Sequence, residues 1–238
     1  MFHPPHLLEC IRADDGLRQH AVTRAAPWRS RSLDELWDLV FGHTLPRSWM
    51  VWSDGPCPAC GDDVNMYDWA MAPLDLPWKL TCPRCGDVFP KNDFHAYYLT
   101  GLDSTGVFDP ARADGDLLFN NEHPDPGDPL HRFGVDDGQG FLNEAGQRWR
   151  FIATWLVYGQ WKGLIWTGID RLAEAFAATG DCEYSRRAGV LLDRLSDVYP
   201  TFDYSQQGFV YEKPGNRGYL SNWHDACAAS WAHWTTNH

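Results

Sequence analysis

Leu7, Leu8, Ile11 and Leu17 recur at helical spacing behind Pro4-Pro5 and predict a first helix over residues 6–22. A second helix starts at Ser32. Ser32-Leu33-Asp34-Glu35 fits a capping box, in which the serine hydroxyl and the glutamate carboxylate each take a backbone N–H of the first turn. Leu33, Leu36, Trp37, Val40 and Phe41 carry its period. Trp49-Met50-Val51-Trp52 reads as a short strand-like piece, and Asn92-Asp93-Phe94 caps a short aromatic helix through Leu99.

The periodicity lapses over residues 101–147, which are rich in Gly, Pro and Asp. Aromatic residues recur along this stretch, so an ordered surface loop packed over something fits better than disorder. From Arg148 to Ala178 the helical pattern returns, with Gly159, Gly163 and Gly168 as points of close packing or kinking. Thr179-Gly180-Asp181 is a stop and a start: Gly180 suits a left-handed position and Asp181 an N-cap. The next helix spans 182–198, with Ala188, Val190, Leu191, Leu192 and Leu195 facing inward and Pro200 beyond its end. So short a connection makes the two helices antiparallel neighbours. After a loop from Thr201 to Tyr219, Ser221 or Asn222 opens a last helix. It is still helical in character at Trp234 and has no Gly or Pro terminator, which reads as a truncated protein.

Two stretches stand outside this scheme. Cys57-Pro58-Ala59-Cys60-Gly61 and Cys82-Pro83-Arg84-Cys85-Gly86 are tight turns, each bringing two thiols together. The pair places four sulfurs where a tetrahedral Zn²⁺ could sit. Four thiolates leave no open position for water, so the expected metal is structural rather than catalytic. Seven cysteines less these four leave Cys10, Cys182 and Cys227, an odd and widely spaced remainder that argues against a disulfide framework.

Charge narrows the partners. Twenty Lys and Arg stand against 32 Asp and Glu, a formal net charge of −12, and no basic run appears. Nucleic acid is therefore a poor partner despite the paired cysteine turns, because phosphate neutralisation needs clustered cations. No run of about 18 apolar residues predicts a membrane span, and the opening residues are wrong for a signal peptide. Thirteen tryptophans could line a carbohydrate cleft, although most read better as core anchors.

The order of the remaining motifs carries a resemblance. "WKLTCPRCGDVFPKNDF", "GVFDPARAD", "FNNEHPDPGDPLHRFGVDDG", "AEAFAATGDCEYSRRAGVLLDRLSDVYPTFD" and "WHDAC" are together similar to a bacterial branch of the heparinase II/III-like, alginate-lyase-like polysaccharide lyases. The similarity runs from about Phe2 to Cys227. It implies a mainly α fold: an incomplete (α/α) toroid of antiparallel helix pairs with an inserted zinc-knuckle or ribbon module. The segments expected are N-terminal helices over 1–44, the zinc module over 45–100, the ordered loop over 101–147, and the start of the toroid over 148–238. It implies cleavage of an anionic, uronic-acid polysaccharide by β-elimination, in which the uronate carboxylate is neutralised, a Tyr or His takes the C5 proton, and an acid protonates the leaving oxygen. Relatives of this kind are often secreted or periplasmic.

The family's central Asn/His element and catalytic Tyr belong to later toroid helices, followed by a β-sandwich. The resemblance therefore implies an N-terminal fragment that lacks the main catalytic residues. What this chain would contribute is part of a cleft. Tyr219, Asn222, Trp223, His224 and Asp225 form its densest polar and aromatic cluster, with Tyr211 beside Glu212 as a weaker candidate. Trp223 could stack on a sugar, His224 donate to a carboxylate, and Asp225 orient His224; the same residues could equally form a helix-capping cluster. Arg148, Arg150, Lys213 and Arg217 are the cations available to a polyanion. Asn120, Asn121, Glu122 and His123 read as turn residues, and Asp136-Asp137 as a plain turn without calcium-loop spacing. The alternative function is a non-catalytic carbohydrate-binding or interaction module on the same scaffold.

Overall fold

A computed structural model describes residues 5–52, 56–65 and 68–203. The chain is mainly helical and divides into two compact units, one holding residues up to 41 together with 160–200, the other 42–159 with 201–203.

In the first unit the expected opening helix is two helices, α1 (Pro5–Ala13) and α2 (Asp15–Arg29). Asp14 makes the break. Its backbone is extended and its carboxylate accepts the N–H groups of Gly16 and Leu17, so it starts a new helix instead of continuing the old one. The Ser32 capping box forms as expected, with Glu35 N–H donating to Ser32 Oγ (3.1 Å) and Ser32 N–H to the Glu35 carboxylate (2.7 Å). The helix it starts, α3, is only Leu33–Trp37, and Val40 is buried from the turn that follows.

Two longer helices complete this unit, α6 (Thr167–Thr179) and α7 (Cys182–Val198). Gly180 between them is left-handed (φ 73°), and the Asp181 carboxylate accepts the Glu183 N–H. The helix α6 packs on both α2 and α7. Tyr184, Ala188, Leu191 and Val198 form the buried stripe of α7. Leu192, expected inward, is 50% exposed, because it lies about 100° around the helix from Leu191. At the α2 interface Trp28 Nε1 donates to the Leu164 carbonyl (2.9 Å) and its indole lies directly against Gly168.

The second unit is built on aromatic side chains. Trp78, Phe89, Phe94, Phe108, Phe151 and Trp155 are all buried, with Trp78 stacked on Trp155 (4.6 Å between centroids) and Phe89 on Phe151 (4.6 Å). Two small antiparallel ladders frame this core. The first pairs β1 (Leu80–Thr81) with β2 (Val88–Phe89), and the second pairs β3 (Phe141–Leu142) with β4 (Arg148–Trp149). The aromatic helix α4 (Phe94–Thr100) is N-capped by Asp93, as its sequence predicts.

Residues 49–52 do not form a strand. Neighbouring bonds go instead to the start of α5 (Phe151–Trp155): Ser48 N–H donates to Ala153 O, and Arg150 N–H donates to Val51 O. The helical pattern expected from Arg148 thus begins as strand, and residues Leu156–Trp166 are π-helical. The last helix expected from Ser221 lies outside the described residues.

Candidate metal centre

The two cysteine turns fold alike because they share Cys-Pro-X-Cys-Gly, differing only at Ala59 and Arg84. In the first, Cys57 N–H donates to Asp62 O (2.8 Å) and Gly61 N–H to Cys57 O (2.9 Å). In the second, Cys82 N–H donates to Asp87 O (2.8 Å) and Gly86 N–H to Cys82 O (2.9 Å). Gly61 (φ 76°) and Gly86 (φ 79°) both turn the chain through the left-handed region, where a Cβ would be strained. Each turn buries its first thiol, Cys57 or Cys82, and exposes its second, Cys60 or Cys85.

All four sulfurs lie within 4.8 Å of one another, with Cys57 Sγ and Cys85 Sγ 3.9 Å apart, and none is in a disulfide. A tetrahedral four-sulfur site with metal–sulfur bonds of ~2.3 Å has edges of ~3.8 Å, so the cluster could hold a metal ion. Burial pushes the Cys57 thiol up, to about 12, against backbone N–H donors from Cys60 and Ala59. Burial likewise raises Cys85. At Cys82 burial also acts upward, but it is outweighed by N–H donors from Cys85 and Arg84 and by the neighbouring thiols, which leave this group lowered. A metal would replace the protons of all four.

Polar side chains tie the second turn to the loop beyond it. Lys91, its side chain 5% exposed, bonds the carboxylates of Asp87 and Glu122, the latter through both oxygens (3.0 and 2.9 Å). Burial works against the Lys91 charge, but the two carboxylates prevail and its pKa is raised. Lys79 is held by the carbonyls of Pro90 (2.5 Å) and Asn92 (2.8 Å), and burial brings its pKa down to about 8.

Of the turn residues noted in the sequence, Asn120 is buried and accepts the Glu122 N–H while donating to Leu130 O. Asn121 N–H donates to Lys91 O (3.2 Å). His123 Nδ1 lies 2.8 Å from an Asp128 carboxylate oxygen, and the other oxygen accepts the Leu130 N–H. Since an ionised carboxylate only accepts, Nδ1 is the donor. Asp136 is more than a turn residue. It is fully buried, and its carboxylate accepts N–H groups from Gly138 (2.7 Å), Gly140 (2.9 Å) and, at the start of α5, Ile152 (3.0 Å).

Sequence reasoning passed over Lys91, and it read Asn92 only as part of a helix cap and Asp136 only as a plain turn. The available signal was three polar residues, Lys91-Asn92-Asp93, set between the core aromatics Phe89 and Phe94. Arg148 is engaged with the Gln139 carbonyl (3.0 Å) and Arg150 is half-buried. Tyr211, Tyr219, Asn222, Trp223, His224 and Asp225, with Lys213, Arg217 and Cys227, lie outside the described residues. Trp28, Trp69, Trp78, Trp149, Trp155 and Trp161 are buried, which makes these six core anchors. No helix among the described residues is long and apolar enough to cross a membrane. Comparison with protein-family models, curated proteins and solved structures yields no match.

Proposed function

We propose that Cys57, Cys60, Cys82 and Cys85 hold one structural Zn²⁺, and that the chain corresponds to the N-terminal toroid portion of a heparinase II/III-like polysaccharide lyase. The observation that carries the metal reading is the mutual approach of four sulfurs, all within 4.8 Å, from two turns with matching backbone bonds. Thiolates are soft donors and favour zinc over magnesium or calcium. Four of them fill the coordination sphere, so the ion braces the fold and takes no part in the elimination.

The lyase reading rests on the motif order and on one supporting feature. The "FPKNDF", "FNNEH" and "FGVDDG" motifs bond one another through Lys91 and Asn92, which gives them a shared structural reason to occur together. In this reading α6 and α7 form an antiparallel pair of the (α/α) toroid, and the substrate is an anionic uronate glycan. Tyr211, Tyr219, Asn222, Trp223, His224 and Asp225 are the residues proposed to line its cleft, Trp223 by stacking and His224 by bonding a carboxylate. A net charge of −12 favours a second reading, a non-catalytic carbohydrate-binding or interaction module, because an acidic chain attracts a polyanion poorly.

Ultraviolet absorbance of the unsaturated uronate product separates the two. Product formed from a panel of polyuronates supports the lyase. Binding of the same glycans without product supports the module, and neither activity nor binding overturns both.

A further inference from the structure

We propose that Lys91 couples the metal centre to the loop of residues 120–131, so that metal loading holds the His123–Asp128 pair in its oriented geometry. This inference rests on the zinc reading above.

The route is short and has no gap. The Asp87 carbonyl accepts the Cys82 N–H and so closes the second cysteine turn, two residues beyond Cys85. The carboxylate of the same residue accepts its neighbour's Val88 N–H (3.0 Å) and grips Lys91. Setting the turn therefore sets the position of the Asp87 side chain. From Lys91 four bonds reach the loop region: two from Nζ to Glu122, one from Asn121 N–H to the Lys91 carbonyl, and one from Lys91 N–H to Gly134 O (2.8 Å). Lys91 is also packed in place, since a Cβ on Gly134 would lie 2.7 Å from its Cγ.

His123 follows Glu122 directly. Its N–H donates to Asn120 O (2.9 Å), its carbonyl lies 3.0 Å from His131 Nδ1, and its own Nδ1 donates to Asp128. Two further bonds close the loop on itself: Asn120 N–H donates to His131 O (2.7 Å) and His131 N–H to Asp128 O (2.9 Å). A segment this short holds such a network only while its anchorage is fixed, so loosening the anchorage lets those bonds open. Lys91 provides that anchorage on the side of the metal centre. An imidazole one-third exposed, with its Nδ1–H bonded to a carboxylate, is thereby made to depend on an ion bound elsewhere in the same unit.

The test is amide hydrogen exchange of the whole chain, read over residues 118–134, with α6 and α7 as internal reference. Four samples are compared: zinc-loaded protein, protein stripped by a chelator, zinc-loaded Lys91→Met, and stripped Lys91→Met. The expected result is that stripping speeds loop exchange roughly tenfold. Lys91→Met does the same while retaining one zinc per chain, and stripping that variant adds little more. Loop exchange unchanged on stripping, or two effects that simply multiply, overturns the coupling. If stripping unfolds the unit altogether, zinc-loaded Lys91→Met decides alone, and wild-type exchange there overturns the proposal. A protein that takes up no metal overturns the zinc reading and this inference with it, whereas a loaded protein with an indifferent loop overturns only this one.

Discussion

Asn92 and Asp136 exchange a pair of hydrogen bonds across 44 residues: Asn92 Nδ2 donates to the Asp136 carbonyl (3.0 Å), and Asp136 N–H donates to Asn92 Oδ1 (3.0 Å). Both residues have no exposed surface. A primary amide is the side chain that can donate and accept in this way at once. The pair joins the segment after the β1–β2 ladder to the Gly-flanked turn before α5.

Replacing Asn92 by Ala leaves a buried carbonyl and a buried N–H without partners. The expected cost is about 3 kcal/mol. Chemical denaturation measures it, and a change under about 1 kcal/mol would show that water replaces the amide.

Asp136 should make stability depend on pH in an unusual direction. Burial pushes its pKa up to about 6, with Asp137 adding to the rise and the three N–H donors opposing it. A carboxyl whose folded value lies above its unfolded value of about 3.8 binds more protons when folded. Its stabilising contribution is thus complete below pH ~4 and is lost as pH rises through about 6, an effect of roughly 3 kcal/mol. The difference in unfolding free energy between wild type and Asp136→Asn, followed from pH 4 to pH 7, isolates it from other groups. Wild type should lose ground to the variant as pH rises; a gain would mean that the three N–H donors win.

How much of this was legible beforehand depended on whether a feature was local. The Ser32 capping box, the Asp93 cap, the Gly180 stop and the span of α7 are each written in a few adjacent residues, and each formed as expected. The form of each cysteine turn was readable for the same reason, and their convergence, though not local, followed from four thiols making up the ligand set of one metal. Features that depend on a distant partner were not readable. Asp14 is a local exception: its carboxylate takes the N–H groups of Gly16 and Leu17, a cap that the apolar period running through it hid. Residues 49–52 look like strand, but their neighbours' partners lie at 150–153. Asp136 resembles any Gly-flanked turn aspartate until the N–H of Ile152 is brought to it.

Cys82→Ser should abolish tight zinc binding, because metal affinity at such a site is folding free energy. With a loss of about 4 kcal/mol, the melt of the unit that holds it should fall by roughly 10 °C. Elemental analysis and differential scanning calorimetry check both. Cys10→Ser serves as control: this exposed thiol lies outside the cluster, and its replacement should change stability by less than about 0.5 kcal/mol.

Gly168→Ala addresses the other unit. A Cβ there would meet the Trp28 indole closer than side chains approach in folded proteins, and Trp28 is held by its bond to Leu164 O. The expected penalty is about 1–3 kcal/mol, read by denaturation, with the metal content unchanged. A neutral result would mean that α2 shifts on α6 at little cost.

The most direct measurement is X-ray absorption at the zinc edge on the purified, zinc-loaded chain, paired with metal analysis. The account predicts one zinc per chain bound by four sulfurs at ~2.3 Å, with no oxygen or nitrogen in the shell. Sub-stoichiometric metal, or a shell of mixed nitrogen and oxygen donors, would contradict it.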